Sequence, residues 1–134
     1  MLYEMLESHK RGADSRELDP LTECVKACFE CAEYCTICAD ACLSEDMVAD
    51  LRYCIRTDLD CADICLATGR MAARQTKPSR EIMRAQLQAC MTACRVCAEE
   101  CERHAEHHEH CRLCAQACRR CENACQGLLT IVPQ

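Results

Sequence analysis

The sequence contains no tryptophan, only three glycines and three prolines, and no long apolar run. Small secreted disulfide scaffolds need turn residues between their bridges, so this composition fits that class poorly. No apolar run approaches the roughly 18 residues that a membrane span requires, so no membrane partner is expected. The formal net charge of -6 argues against a nucleic-acid partner.

Ordinary core residues are also scarce, because leucine, isoleucine, valine and phenylalanine together number only 22 of 134 residues. Cysteine and alanine, by contrast, each occur 18 times. The N-terminus shows no basic segment followed by an apolar stretch, so no secretory signal is visible and a cytoplasmic location is expected. Thiols stay reduced in that compartment, which favours metal binding over disulfides.

The cysteines recur at steps of three and four, which place them in a stripe along one face of an α-helix. Each of four blocks therefore predicts a helix that carries sulfur where a coiled coil carries leucine. The blocks are Cys24, Cys28, Cys31, Cys35, Cys38 and Cys42; Cys54, Cys61 and Cys65; Cys90, Cys94, Cys97 and Cys101; and Cys111, Cys114, Cys118, Cys121 and Cys125.

This pattern predicts an all-α fold, an antiparallel up-down-up-down four-helix bundle with a cysteine-lined core. We expect a single domain over residues 1–134. Residues 20–126 form the cysteine-rich four-helix bundle, and residues 1–18 form a short extra N-terminal helix and a linker.

Capping residues give the expected boundaries of the helices. Asp19 and Pro20 begin the first helix of the bundle, Ser44 precedes the second, and Gly127 closes the fourth. The third opens at residues 77–79. A break between the third and fourth helices is expected within residues 104–110, although one continuous helix is an alternative because the cysteine period continues through this segment.

Several uses of the thiols compete with metal storage. Disulfides within a helix are disfavoured, because Cβ atoms at i and i+4 lie about 5–6 Å apart and a disulfide needs about 3.8 Å. A role as a small hydrophobe explains one or two cysteines but not 18. An oxidoreductase needs one exposed reactive thiol, so no enzyme activity is expected. Iron–sulfur electron carriers favour a CxxCxxCxxxCP motif, which is absent.

Charge distinguishes copper from zinc, the closest alternative, which would make the protein a metallothionein-like zinc buffer. Thiolates shared four to a metal would hold about four Zn²⁺ and leave roughly ten negative charges without a basic residue on the stripes. Each Cu(I) that replaces a thiol proton leaves the charge unchanged, and thiolates select Cu(I). A two-coordinate ion needs sulfurs about 4.5 Å apart, which we expect of cysteines at i and i+4.

The cysteine motifs resemble those of the cytosolic copper storage proteins. The resemblance covers residues 20–126 and includes CxxxCxxCxxxCxxCxxxC at 24–42, CxxxCxxCxxxC at 90–101 and CxxCxxxCxxCxxxC at 111–125. It implies a four-helix bundle that binds many Cu(I) ions, storage and detoxification of copper, assembly into a homotetramer, and uptake at a histidine-bearing end. A copper chaperone is the expected donor.

In an antiparallel bundle, the ends of the first and third helices meet the starts of the second and fourth. We expect this end of the bundle to form a mouth for copper. His104 and His107 continue cysteine stripes, and His108 lies four residues beyond His104, so these three are predicted to bind and pass on Cu(I). A solvated polar turn is the alternative, and it is favoured for His110, which lies off both stripes. Met47 is interpreted as a core residue, with a thioether that binds the soft ion as the alternative. The predicted mouth contains Cys42, Met47, Cys101, His104, His107, His108 and Cys111.

Asp58 occupies the vacant position of the stripe on the second helix, between Cys54 and Cys61. A buried unpaired carboxylate is costly. Asp58 therefore either binds copper or hydrogen-bonds at a copper site, or the helix rotates and exposes it. With Asp58, the 18 cysteines and the three mouth histidines complete the predicted ligand set.

The opposite end and the outer surface carry apolar residues with different expected roles. Leu21, Met83, Leu87 and Leu128 continue the stripes beyond the last cysteines and predict an apolar plug, so copper should pass through one end only. The outward residues are too many for scattered exposure and indicate burial against another subunit. They are Phe29, Ile37, Leu43, Leu59, Leu66, Val96 and Leu113.

Overall fold

The computed structural model describes residues 1–134, which fold into α-helices without a strand. A short 3-10 turn, Val48–Leu51, precedes the third helix. The helices are α1 (Leu2–Glu7), α2 (Ser15–Leu43), α3 (Arg52–Ala73), α4 (Arg80–His104) and α5 (Glu109–Leu129). The structure contains no helix that meets the requirements for crossing a bilayer.

The long helices α2 to α5 form a closed ring of antiparallel neighbours. Helix α2 packs against α3 and α5, and α4 packs against the same two helices from the other side. Short links connect successive helices, which confirms the predicted up-down-up-down bundle. The chain leaves the helical path between His104 and Glu109, so α4 and α5 are separate helices and the continuous alternative is excluded.

Cysteine forms the core of this bundle. All 18 cysteines are free thiols, and each is at most 1% exposed. The four stripes predicted from the spacing therefore all face inward. Small side chains fill the gaps beside the sulfurs, as at the fully buried Ala98 on α4. A core of sulfur and alanine lets the helices approach closely despite the low content of large apolar residues.

The first helix of the bundle begins earlier than Asp19 and Pro20 indicate. Asp14 is the N-cap, and its side chain accepts hydrogen bonds from the amides of Arg16 at 2.9 Å and Glu17 at 3.1 Å. Pro20 lies inside α2. It is the sixth residue of the helix and lacks the amide that would donate to the Arg16 carbonyl. The stretch from Ser15 was predicted as linker and is helical.

Two other expected boundaries are also wrong. Ser44 ends α2 as its C-cap, and its hydroxyl donates to the carbonyl of Ala41 at 2.8 Å, so the next helix begins only at Arg52. Gly127 lies within α5, which continues to Leu129. The predicted start of α4 is confirmed, because the Ser79 hydroxyl caps the amide of Ile82 at 3.2 Å.

The extra N-terminal helix is present and packs on the bundle at the end where α2 begins. Leu6 of α1 is buried in the main core. Gln75, in the link between α3 and α4, donates to the Leu6 carbonyl at 3.0 Å and accepts from the Ala13 amide at 2.7 Å. These two bonds tie residues 1–14 to the bundle.

The end of the bundle beside α1 is closed by apolar side chains. Leu21, Met83, Leu87 and Leu128 are all buried, as the stripe positions predict. The sulfurs of Cys24 and Cys125, 3.8 Å apart, lie next to them along the stripes of α2 and α5. Apolar side chains thus pack in the core beside the last thiols at this end.

The two helical glycines of the bundle should respond oppositely to alanine. Nothing lies within 4 Å of a Cβ built on Gly127, so Gly127→Ala should raise the free energy of unfolding by about 0.5–1 kcal/mol. A Cβ on Gly69 would lie 3.2 Å from Cys28 Cβ, where α2 and α3 touch. Gly69→Ala should therefore be less stable than Gly127→Ala by about 1 kcal/mol or more, measured by urea unfolding of the reduced protein. Equal stabilisation by both changes would contradict this packing.

Candidate metal centre

The thiols form a continuous network along the bundle axis. Within single helices, sulfurs at i and i+4 approach closely, at 3.8 Å between Cys31 and Cys35 and 3.7 Å between Cys61 and Cys65. Sulfurs on different helices are as close, at 3.5 Å between Cys65 and Cys94. The network therefore joins neighbouring helices as tightly as it follows each one.

Several sets of four sulfurs have all their members within 4.8 Å of one another. These sets share thiols, since Cys31, Cys35, Cys118 and Cys121 each belong to two of them. A shared thiolate must bridge two metal ions when both sets are filled. The sets include Cys28, Cys90, Cys121 and Cys125; Cys31, Cys65, Cys94 and Cys121; Cys31, Cys35, Cys61 and Cys118; Cys35, Cys97, Cys114 and Cys118; and Cys38, Cys42, Cys54 and Cys111.

The closest sulfur pairs, 3.5–4.0 Å apart, have the spacing of three- or four-coordinate metal sites. With metal–sulfur bonds of about 2.3 Å, neighbouring ligands lie roughly 4.0 Å apart in a trigonal site and roughly 3.8 Å apart in a tetrahedral one. Three of the eight cysteine pairs at i and i+4 are closer than the expected spacing of about 4.5 Å, with sulfurs 3.7–4.0 Å apart, whereas the sulfurs of Cys38 and Cys42 lie within 4.8 Å, which allows the expected spacing. A linear ion bound by one of these closest pairs requires its two sulfurs to move apart, whereas a bridged cluster does not.

The protein environment opposes negative charge in the core. Burial, followed by the nearby Cys38 thiolate, raises the pKa of the Cys42 thiol. No lysine or arginine is buried, so no basic side chain compensates thiolates in the core. Metal binding must therefore replace each thiol proton with positive charge, and a monovalent cation does so one for one.

Asp58 is buried inside this network, at 0% exposure. Its Oδ1 accepts hydrogen bonds from the thiols of Cys97 at 3.1 Å, Cys114 at 3.3 Å and Cys101 at 3.5 Å, whereas Oδ2 has no partner. Burial, followed by the charge of Cys97, raises the pKa of Asp58 to about 11. The alternative in which α3 rotates and exposes Asp58 is excluded.

His110, which lies off both cysteine stripes, is the mouth histidine that contacts the thiols. Its Nδ1 lies 3.4 Å from Cys38 Sγ, 3.6 Å from Cys111 Sγ and 4.0 Å from Cys42 Sγ. Its Nε2 lies 2.9 Å from Glu45 Oε2. Interpreting His110 as a residue of a solvated turn was therefore wrong.

The spacing of the cysteines did not identify His110 because the helical period does not run through the link between α4 and α5. His108 is the N-cap of α5 with an extended backbone, so positions cannot be counted from α4 into α5. His110 lies in the first turn of α5, where side chains lean towards the helix N-terminus and so over the mouth. First-turn position beside Cys111 was the signal that could have identified it.

The histidines predicted for the mouth lie at the expected end, but they bond to carboxylates or face solvent. His104 Nε2 is 3.0 Å from Glu100 Oε2, and none of its hydrogen bonds involves a thiol. His108 Nδ1 is 2.7 Å from Glu45 Oε2, and His107 is exposed. Met47 is 61% exposed, so its interpretation as a core residue is wrong.

Comparison with known proteins identifies the family of this thiol-lined bundle. A family model described as copper storage protein matches residues 17–130. The chain belongs to the copper storage protein family. Among curated proteins, an uncharacterized cysteine-rich protein, YhjQ, from Bacillus subtilis is 34% identical over 105 residues, which cover 78% of this chain and 92% of that protein.

Solved structures of copper storage proteins share the fold over nearly the whole chain. The copper storage protein Ccsp from Streptomyces lividans, loaded with 10 copper equivalents, is 49% identical with a TM-score of 0.93, covering 97% of this chain and 98% of that one. A structure of copper loading to a cytosolic copper storage protein from the same organism, with five coppers, is 53% identical with a TM-score of 0.86, covering 88% and 98%.

The raised pKa of Asp58 predicts a pH-dependent stability of the metal-free protein. The folded protein binds the Asp58 proton more tightly than the unfolded chain does. The free energy of unfolding is therefore highest below the ordinary pKa of 3.8 and falls as the pH rises towards about 11. Between about pH 5 and pH 7, Asp58 should therefore lower the free energy of unfolding by up to about 1.4 kcal/mol per pH unit. Asp58→Asn removes this loss, so the variant should be more stable at pH 7 by a few kcal/mol.

Urea unfolding of the reduced protein at about pH 5, 6 and 7 measures the difference between the two proteins. Asp63→Asn, which changes an exposed carboxylate on the same helix, is the control and should leave the pH slope as it is. A stability difference between Asp58→Asn and the parent that stays constant with pH would contradict the burial of a protonated carboxyl group.

Proposed function

We propose that this protein stores Cu(I) ions inside the bundle and thereby protects the cytoplasm from free copper. The observation that carries the proposal is the network of 18 buried free thiols, whose four-sulfur sets share members. Bridging thiolates let many monovalent ions occupy a small volume without accumulating charge. The related Streptomyces protein, described as cytosolic, supports the same location for this chain.

The thiols of the four stripes are the proposed copper ligands, and Asp58 adds one oxygen to them. Asp58 Oδ1 already accepts hydrogen bonds from Cys97 and Cys114, so copper that replaces their protons lies within reach of this oxygen. Asp58 occupies the position of the α3 stripe that lacks a cysteine, between Cys54 and Cys61. Removing the side chain should change the order in which sites fill.

Copper is proposed to enter at the end where α4 passes into α5. His110 joins the ligand set there, because its Nδ1 faces the outermost four-sulfur set, which contains Cys38, Cys42 and Cys111. His104, His107 and His108 lie around it as outer binding groups. The apolar residues at the opposite end support uptake and release through this mouth alone.

Storage is favoured over zinc buffering and over catalysis. Individual four-sulfur sets have the size of a tetrahedral zinc site, but their shared thiols cannot all form separate sites. An enzyme nucleophile has to meet its substrate, whereas every thiol here is at most 1% exposed. We therefore propose a binding protein rather than an enzyme, with a copper chaperone as the donor.

Anaerobic titration of the reduced protein with Cu(I) tests the storage proposal. Binding should continue well beyond ten equivalents, on the order of one ion per thiolate, and the product should be colourless. Replacing Cys31, Cys35, Cys61 and Cys118 together by serine removes one four-sulfur set and should reduce the capacity by several ions. Saturation at four or five equivalents, or displacement of bound Cu(I) by equimolar Zn²⁺, would contradict the proposal.

Copies of the chain are proposed to assemble through the outer apolar residues, with a tetramer as the expected state. Ile37 is 57% exposed and Leu43 61% exposed on α2, and Leu59 and Leu66 are exposed on the neighbouring α3. Light scattering after size-exclusion chromatography should show an oligomer. Ile37→Glu with Leu59→Glu should shift it towards monomer, while the control Thr92→Glu, at an exposed polar position on α4, should not. A monomeric parent protein would contradict assembly.

A further inference from the structure

We propose that Glu45 is a positioning residue that fixes the tautomer of His110, so that the unprotonated Nδ1 faces the outermost thiols. This inference rests on the proposed copper function and adds the device that makes the mouth ready to accept an ion. It concerns how copper passes the first thiols rather than how much copper the bundle holds.

The first step of the argument is the position of Glu45. It lies just beyond the end of α2, where its amide donates to the Cys42 carbonyl at 3.2 Å. That bond holds the backbone of Glu45 beside the outermost thiols. Its side chain, 30% exposed, reaches across to the first turn of α5. One carboxylate oxygen, Oε2, lies 2.9 Å from His110 Nε2 and 2.7 Å from His108 Nδ1.

The second step concerns the proton on His110. An ionised carboxylate only accepts hydrogen bonds, so the nitrogen that faces it must carry the hydrogen. Glutamate is ionised near neutral pH, and Glu45 Oε2 lies 2.9 Å from His110 Nε2, so this ring nitrogen donates the hydrogen bond. In a neutral His110 ring the proton therefore lies on Nε2, and Nδ1 keeps its lone pair.

The third step is what Nδ1 faces. It lies 3.4 Å from Cys38 Sγ, 3.6 Å from Cys111 Sγ and 4.0 Å from Cys42 Sγ, and these three thiols belong to one four-sulfur set. Without an acceptor at Nε2, the ring is free to carry its proton on Nδ1. That tautomer points a hydrogen at the sulfurs and offers copper only the nitrogen on the far side.

The pair of Glu100 and His104, also at the mouth, shows that the contact between Glu45 and His110 is specific. Glu100 holds His104 through Nε2 in the same way, at 3.0 Å, yet no hydrogen bond links His104 to a thiol. Only the Glu45 pair directs a histidine lone pair at the thiol network. Carboxylates that hydrogen-bond a metal-binding histidine commonly orient the ring in this manner.

The charge of Glu45 offers a competing explanation, because a carboxylate at the mouth also attracts Cu(I). Two variants separate the explanations. Glu45→Gln keeps an oxygen that accepts the His110 hydrogen bond but removes the charge, whereas Glu45→Ala removes both. Tautomer control predicts that the glutamine variant resembles the parent, and attraction predicts that both variants lose the same amount.

The experiment measures the initial rate of anaerobic copper uptake from a coloured bathocuproine–Cu(I) complex, whose absorbance falls as copper leaves it. Glu45→Ala should slow uptake of the first equivalents by about tenfold or more, and Glu45→Gln should retain most of the parent rate. Glu106→Ala removes an exposed carboxylate from the same link and is the matched control. In a His110→Ala background, Glu45→Ala should have no further effect.

A second measurement reads the tautomer directly in the metal-free protein. Nitrogen–proton NMR correlations of the His110 ring should show the proton on Nε2 in the parent and in Glu45→Gln, and a shift of population towards Nδ1 in Glu45→Ala. A parent tautomer with the proton on Nδ1, an unchanged uptake rate in Glu45→Ala, or equal slowing in the alanine and glutamine variants would overturn the inference. Failure of the parent to bind many Cu(I) ions would instead overturn the storage proposal, and the NMR result would still stand.

Discussion

The structure depends on direct contact between sulfur atoms of uncharged thiols. In place of interlocking leucines, the helices meet through cysteines whose sulfurs lie 3.5–4.0 Å apart, and no basic side chain is buried among them. Such a core is stable only while its charge stays near zero, first through protons and then through bound cations. The preference for a monovalent soft metal follows from the same constraint that lets the metal-free chain fold.

The need for close helix contact also explains the composition around the sulfurs. Cysteine and alanine are short, so the backbones must approach, and Gly69 marks a point where even one added carbon would press on Cys28. The larger apolar residues are used elsewhere. Leu21, Leu87 and Leu128 close one end, and others lie on the outer surface of α2 and α3. Leucine, isoleucine and valine are thus scarce because cysteine and alanine occupy the core, where metal ions bind after the chain has folded.

The sequence predicts the four helices and their inward faces correctly, because the three-and-four spacing is a local property of a single helix. The same period correctly placed Asp58 in the interior. Prediction failed where the period stops: the cap at Asp14, the turn after Ser44 and the link before His110 depend on backbone geometry between helices. His110 was missed because a histidine beside a stripe reaches the thiols only through the tilt of a first turn.

The apolar residues around Leu87 close one end of the thiol-lined interior. The thiols of Cys24 and Cys125 lie at this closed end, so under the proposed entry beside His110 an ion reaches them only after passing the thiols nearer the mouth. Exchange between neighbouring sulfurs then becomes the only way along the axis. Under the same proposal, ions bound beside Cys24 and Cys125 leave last, and a recipient protein first receives the ions bound nearest His110.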